Sequence, residues 1–205
     1  MNSLPPRIYL ASRSPRRREL LRQLNVQFDV LLFRSGERSD LDVNEDPLPN
    51  EGVLDYVQRI ARAKAEGGWK RLALRHLPIH PVLSADTTLD LDGVIIGKPT
   101  DADDAARILK SLSDRTHRVL TSVAMCDGNR LEHITSVSDV RFTQLSEPDI
   151  ARYVASGEPM DKAGAYGIQG RAGMFVEEIR GSYTGIMGLP LFETCTLLKS
   201  FGYPV

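Results

Sequence analysis

A mixed α/β fold, a sheet of parallel and antiparallel strands with flanking helices, is predicted by three observations. Apolar runs of strand length are intermixed with segments of helical periodicity along the chain, the pattern of α/β proteins. Asp92-Gly93 and Asp127-Gly128 each stand between two apolar runs as turns, so part of the sheet is built from hairpins and is antiparallel. With 205 residues, 41% of them hydrophobic and 26% charged, the chain can bury one sizeable core, and one domain over residues 1–205 is expected.

Residues 7–11 read as a short buried strand. Ser14-Pro15 then opens a helix through residue 24, with Ser as N-cap and Pro at the first helical position. A strand over 28–32 follows. Residues 34–51 are rich in Asp, Glu, Asn, Pro and Ser without apolar periodicity and read as a mobile loop able to close over a ligand. From 53 to about 74, Leu54, Val57, Ile60, Ala61 and Ala65 recur at helical spacing.

An apolar strand over 81–85 runs directly into Asp86, and residues 89–97 form a hairpin around Asp92-Gly93, whose backbone suits a type I′ turn. Next come an exposed helix over 101–112, strands near 118–126 and 131–142, and a capped helix over 147–155. A glycine-studded loop over 162–173, a strand over 174–179 and a helix over 189–201 finish the chain, which shows no internal repeat.

Lys and Arg number 26 against 27 Asp and Glu, so a net charge of -1 supplies no long-range field for a nucleic acid polymer or an acidic membrane. An anionic ligand must be met by local charge. No stretch approaches the roughly 20 apolar residues that cross a bilayer, and Ile8-Tyr9-Leu10-Ala11 is too brief for a signal-peptide core. Cys126 and Cys195 form no CxxC pattern and read as buried thiols in a reducing compartment, which makes the cytoplasm the expected location.

Three segments combine groups that suit chemistry. Ser12-Arg13-Ser14-Pro15-Arg16-Arg17-Arg18 lies between a strand and a helix start, where free backbone N–H groups, two hydroxyls and guanidinium groups favour a phosphate. Four arginines at a positive helix end are unfavourable without an anion, although Ser14 as a plain cap on a solvated helix stays an alternative. Ser84-Ala85-Asp86-Thr87-Thr88 closes an apolar strand, where a carboxylate can hold Mg²⁺ or take a proton from water; an Asp that starts a turn is the plain alternative. Lys98, just past the hairpin in Gly97-Lys98-Pro99, is placed to return to the same cleft and meet phosphate charge.

The third segment is Asp161-Lys162-Ala163-Gly164-Ala165-Tyr166-Gly167-Ile168-Gln169-Gly170. Its glycines permit close backbone approach, Lys162 can meet a phosphate, and Gln169 offers a donor and an acceptor to a base edge; a flexible surface loop is the alternative. There is no P-loop and no HExxH, and Pro78 between His76 and His80 spoils the helical face that a metal pair needs. His117 and His133 read as structural.

In this order, Tyr9-Leu10-Ala11-Ser12-Arg13-Ser14-Pro15-Arg16-Arg17, Ala85-Asp86-Thr87, Gly97-Lys98-Pro99 and the segment from Asp161 to Gly170 resemble the Maf family over nearly the whole chain. Arg13 departs from the common Gly, and Gly97 stands where an acidic residue often precedes the Lys. The resemblance implies a Maf/ITPase-like α/β fold of two lobes around a deep cleft, often dimeric. It also implies Mg²⁺- or Mn²⁺-dependent cleavage of a nucleoside triphosphate between its α and β phosphates. Asp86 would accept the proton of water and hold the metal with Glu37, onto which the family's acidic loop position falls. Ser12, Ser14, Arg17, Lys64, Lys98 and Lys162 would meet the phosphates.

Within the family, the residues Arg16, Thr87 and Gln169 imply selection of dTTP and UTP. Uracil and thymine present acceptor, donor, acceptor along one edge, which a fixed glutamine amide plus one further donor can match. Loss of Arg17 or Lys98 is expected to weaken turnover while leaving the choice of base alone. The rival readings are a nucleotide-binding regulator of cell division that does not turn its ligand over, the 7-methyl-GTP branch of the family, and a purine house-cleaning pyrophosphatase.

Overall fold

The computed structural model describes residues 7–32 and 43–205. Strand β1 (Arg7–Leu10) leads into helix α1 (Pro15–Gln23), and β2 (Gln27–Val30) follows. The Ser14 side chain accepts from the backbone N–H of Arg17, and Pro15 fills the first helical position, where its missing N–H costs nothing. Helix α2 (Val53–Leu74) buries Val57, Ile60, Ala61, Ala65, Gly68 and Leu72 along one face. Leu54, assigned to that face from its spacing, is instead 45% exposed.

Strand β3 (Val82–Leu91) turns into β4 (Val94–Ile96) through Asp92 and Gly93, with φ of 55° and 84°, the positive pair that a type I′ turn requires. Helix α3 (Ala102–Leu112) is not simply exposed: Ala105, Ile108, Leu109 and Leu112 are buried. Strands β5 (Thr116–Cys126) and β6 (Leu131–Phe142), then helix α4 (Glu147–Ala155), follow as expected. Short 3-10 turns occupy most of residues 158–175, so Met174 and Phe175 belong to a turn and β7 (Val176–Arg180) begins after them. Helix α5 (Tyr183–Met187) was not anticipated, because five residues carry too little periodicity, and α6 (Leu191–Ser200) closes the chain.

The sheet runs β2-β1-β3-β5-β6-β7, with β4 paired to β3. β1 lies parallel to β2 and β3, and the remaining pairs are antiparallel, which is the mixed sheet expected. Asp86 is not at a strand end. Thr87, Thr88, Leu89 and Asp90 continue the pairing with β5, because β-branched threonines suit a pleated, half-buried strand. The alternation of β3 then places Asp86 on the face toward α2 and Thr87 on the opposite face.

That opposite face carries two apolar clusters. Leu83, Ala85, Val123 and Met125 pack with Ile8, Leu10, Leu20 and Leu198, whereas Leu89, Leu91 and Val119 pack with Leu109, Phe142, Tyr166 and Phe175. The polar stretch of β3 around Thr87 lies between them. Of the cysteines, Cys126 is buried and Cys195 only half-buried. Among the described residues no helix is long and apolar enough to cross a membrane.

Residues 43–51 are joined to α2 by side-chain hydrogen bonds. The Arg59 guanidinium reaches Glu51 at 2.5 Å and the carbonyls of Asn44 and Asp46, and the Tyr56 hydroxyl donates to the carbonyl of Glu45 at 2.9 Å. Residues 34–42, with Glu37, lie outside the described residues.

His117 is buried in the second cluster, its Nε2 lying 2.8 Å from the Tyr166 hydroxyl and its ring edge-on to Phe142. Burial pushes its pKa from 6.5 down to about 4. The unfolded chain therefore binds a proton at higher pH than the folded one, so stability is full above 6.5 and falls as pH drops toward 4. Denaturant unfolding should show a loss approaching about 3 kcal/mol across that window. His117→Gln should flatten it, and an equally steep loss in the variant would assign the effect to other groups.

Candidate active site

The β1–α1 turn, the middle of β3, the α2 face above it, the end of the β3–β4 hairpin and the loop over 161–169 surround a cavity of about 530 Å³. Small-molecule sites span roughly 300–1,000 Å³. Ser12, Ser14, Arg16, Arg17, Lys64, Asp86, Thr87, Lys98, Lys162 and Gln169 all line it. Residues spread over more than 150 positions of sequence are thus brought to one wall-to-wall site. Of the residues singled out from the sequence, Glu37 alone lies outside the described part.

Asp86 is 7% exposed, and its Oδ1 accepts from Nζ of Lys64 at 2.8 Å. The same ammonium lies 2.8 Å from Oε1 of Glu45, so one lysine on α2 bridges two carboxylates. Tyr56, beside them, has its pKa pushed up to about 12, first by burial and then by Asp86 and Glu45. Two carboxylates thus share one ammonium on this wall. Oxygen donors of this kind suit Mg²⁺ or Mn²⁺, which are commonly held by one or two carboxylates together with substrate phosphates. No group of three or more His, Cys, Asp or Glu suited to a metal occurs among the described residues.

The cations at the other side differ in how free they are. Lys162 Nζ lies 2.6 Å from the Glu158 carbonyl and 2.5 Å from Asp161 Oδ1, while Arg16 reaches Asp161 Oδ2 at 3.3 Å. Burial opposes the charge of Asp161, but Lys162 and Arg16 outweigh it and hold the carboxyl below its usual range. Asp161 engages both cations. The cost foreseen for clustered arginines at a helix start is thus already partly relieved, since Arg16 has a counter-ion. Lys98 is exposed and makes no ion pair among the described residues, which leaves its ammonium available to a ligand.

Arg17 is a strut as much as a cation. Its Nε donates to the Gly188 carbonyl at 2.7 Å, Nη2 to Thr87 Oγ1 at 3.0 Å and Nη1 to Ser12 Oγ at 3.4 Å, joining α1, α5 and β3. The loop over 161–170 is fastened in its turn. Gly164 has φ of 72°, a Cβ there would stand 2.1 Å from Leu89, and its N–H donates to the Gly97 carbonyl beside Lys98 at 2.9 Å. Tyr166 is buried against His117, whereas the Gln169 side chain is exposed and makes no hydrogen bond among the described residues.

The model of a family described as Maf-like protein matches residues 7–201. The chain belongs to the Maf family. It is 66% identical to a protein of Aromatoleum aromaticum named dTTP/UTP pyrophosphatase, over the whole of both chains. It is 57% identical to one of Dechloromonas aromatica with the same name, over 96% of this chain and 98% of the other. The solved structure of the Staphylococcus aureus Ham1 protein matches with a TM-score of 0.49 and 15% identity, covering 95% of this chain and 97% of that one.

In this Maf chain the cavity also holds groups that the sequence did not reveal. Glu45 sits among several acids in a segment without periodicity, and only its contact with Lys64 distinguishes it. Tyr56 joins Arg59 and Lys64 in tying that segment to α2, through the Glu45 carbonyl. Thr121 lies inside an apolar strand and reaches the site through Thr87. The one signal available for it was a hydroxyl residue within a run of Val, Leu and Ala.

Proposed function

We propose that the protein is a nucleoside triphosphate pyrophosphatase that adds water across the α–β anhydride of dTTP and UTP, releasing the nucleoside monophosphate and pyrophosphate. The observation that carries this reading is the buried Asp86 carboxylate, ion-paired to Lys64 in a cavity that Lys98, Arg16 and Lys162 also line. The names of the full-length relatives support the choice of nucleotide.

In this reading Asp86 takes a proton from the attacking water while its oxygen joins phosphorus, and the bridging P–O bond breaks toward pyrophosphate. Asp86 and Glu45, with Glu37 as a further candidate, would hold Mg²⁺ or Mn²⁺, which supplies charge neutralisation at the phosphates. Lys64 keeps the two carboxylates oriented, Ser12 and Ser14 line the turn where N–H groups face an anion, and Lys98, Arg17 and Lys162 offset phosphate charge. Arg16, Thr87 and Gln169 read the base. A cytoplasmic location and a homodimer belong to the same reading.

Pyrophosphate release from dTTP, UTP, CTP, GTP and 7-methyl-GTP, with Mg²⁺ or Mn²⁺ and again with EDTA, tests it. Turnover of the first two that stops with EDTA is expected; binding without turnover would make the chain a nucleotide sensor. Lys98→Ala should raise KM and lower kcat for all substrates with their ranking intact, because phosphates are common to them. A changed ranking would move Lys98 to the base end of the cavity.

A further inference from the structure

Two threonines face each other where the two apolar clusters meet. Thr87 on β3 is registered against Thr121 on β5, with Ala85 and Leu89 on either side of the first and Val119 and Val123 on either side of the second. Hydroxyls on such a face are costly unless they are hydrogen-bonded. Thr121 is fully buried, its Oγ1 lying 2.8 Å from the Gly185 carbonyl oxygen and 2.9 Å from Thr87 Oγ1. Thr87 Oγ1 in turn lies 3.0 Å from Nη2 of Arg17.

Each hydroxyl has a single proton, and the chain of contacts fixes where both go. A carbonyl only accepts, so the Thr121 proton points to Gly185. A guanidinium only donates, so Arg17 occupies a lone pair of Thr87. The contact between the hydroxyls therefore runs from Thr87 to Thr121. With its proton committed away from the cavity, Thr87 has only a lone pair left for a ligand.

We infer that Thr121 is a specificity-determining positioning residue: by holding the Thr87 hydroxyl as a pure acceptor, it makes the cavity favour a ring N–H over a bare ring nitrogen. This rests on the pyrimidine triphosphate reading above. Uracil and thymine carry a proton on N3 and cytosine does not, so cytosine sets two lone pairs against each other. An opposed polar pair of this kind separates the two bases by roughly 10- to 100-fold. Arg17 belongs to the same device, which revises the expectation that its loss spares the choice of base.

Thr121→Val keeps the shape and removes the acceptor, which frees the Thr87 proton to turn toward the cavity. The Gly185 carbonyl still accepts from the Gly188 N–H at 2.9 Å. kcat/KM for UTP and CTP, and Kd for their non-hydrolysable α,β-methylene analogues, should be measured in the native protein, Thr121→Val and Thr121→Ser. Thermal unfolding confirms folding, and Thr121→Ala replaces the valine variant if that does not fold. The valine variant should lower the UTP to CTP ratio at least about 10-fold, chiefly by a gain for CTP, while the serine variant keeps the native ratio. An unchanged ratio, or an equal loss for both nucleotides, overturns the inference. Should the native protein bind without turnover, a shifted Kd ratio in Thr121→Val would uphold the role of Thr121 while the pyrophosphatase reading falls.

Discussion

Asp86→Asn should lower kcat by at least about 100-fold, the lower end for loss of a general base. The amide matches the carboxylate in shape, so β3 keeps its register, and Lys64 retains Glu45 as its ion-pair partner. What disappears is a basic oxygen able to take a proton, together with an anionic oxygen able to ligate a metal. Because the strand and its packing persist, the thermal midpoint should move little while turnover collapses. Steady-state pyrophosphate release by the folded variant checks this, and near-normal kcat would remove Asp86 from the chemistry.

The second large effect concerns the base. Gln169 is exposed to the cavity and makes no hydrogen bond among the described residues, so its amide is not engaged in holding the loop. Its amide N–H can donate to the O4 of uracil and thymine, where cytosine carries an amino group that only donates, while Thr87 accepts the N3 proton. Gln169→Ala should therefore bring UTP and CTP closer by roughly 10- to 100-fold in kcat/KM, mainly by weakening UTP. Purines should remain poor substrates for reasons of size. If the order of dTTP, UTP, CTP, GTP and 7-methyl-GTP survives in the variant, Gln169 does not read the base.

Much of this was legible in the chain because the signals were local. Ser14-Pro15 is a cap followed by a residue needing no N–H, and the helix starts there; Asp92-Gly93 supplies two residues tolerant of positive φ, and the hairpin turns there. The mixed sheet followed from hairpins among helices. The polarity of Asp86 reads as a stop, whereas the strand runs five residues further, paired with β5 as far as Asp90.

The site divides in the same way. Residues in dense polar or glycine-rich segments, such as Ser12, Asp86 and Gln169, stood out and do line one cavity. Glu45 and Thr121 did not, since their significance comes from partners 19 and 34 residues away, Lys64 and Thr87. Partnership also changed the meaning of Arg17. In the sequence it is one guanidinium among four, but in the fold its N–H groups brace a carbonyl and two hydroxyls, one of them on Thr87.

Substrate choice and bond choice can be read together by ³¹P NMR of one reaction holding equal concentrations of dTTP, UTP and CTP with Mg²⁺ and the native protein. The expected time course shows dTTP and UTP signals replaced by their monophosphates and an equal amount of pyrophosphate while CTP persists. Consumption of all three at one rate, or the appearance of nucleoside diphosphates with orthophosphate, would contradict a pyrophosphatase that selects uracil and thymine nucleotides.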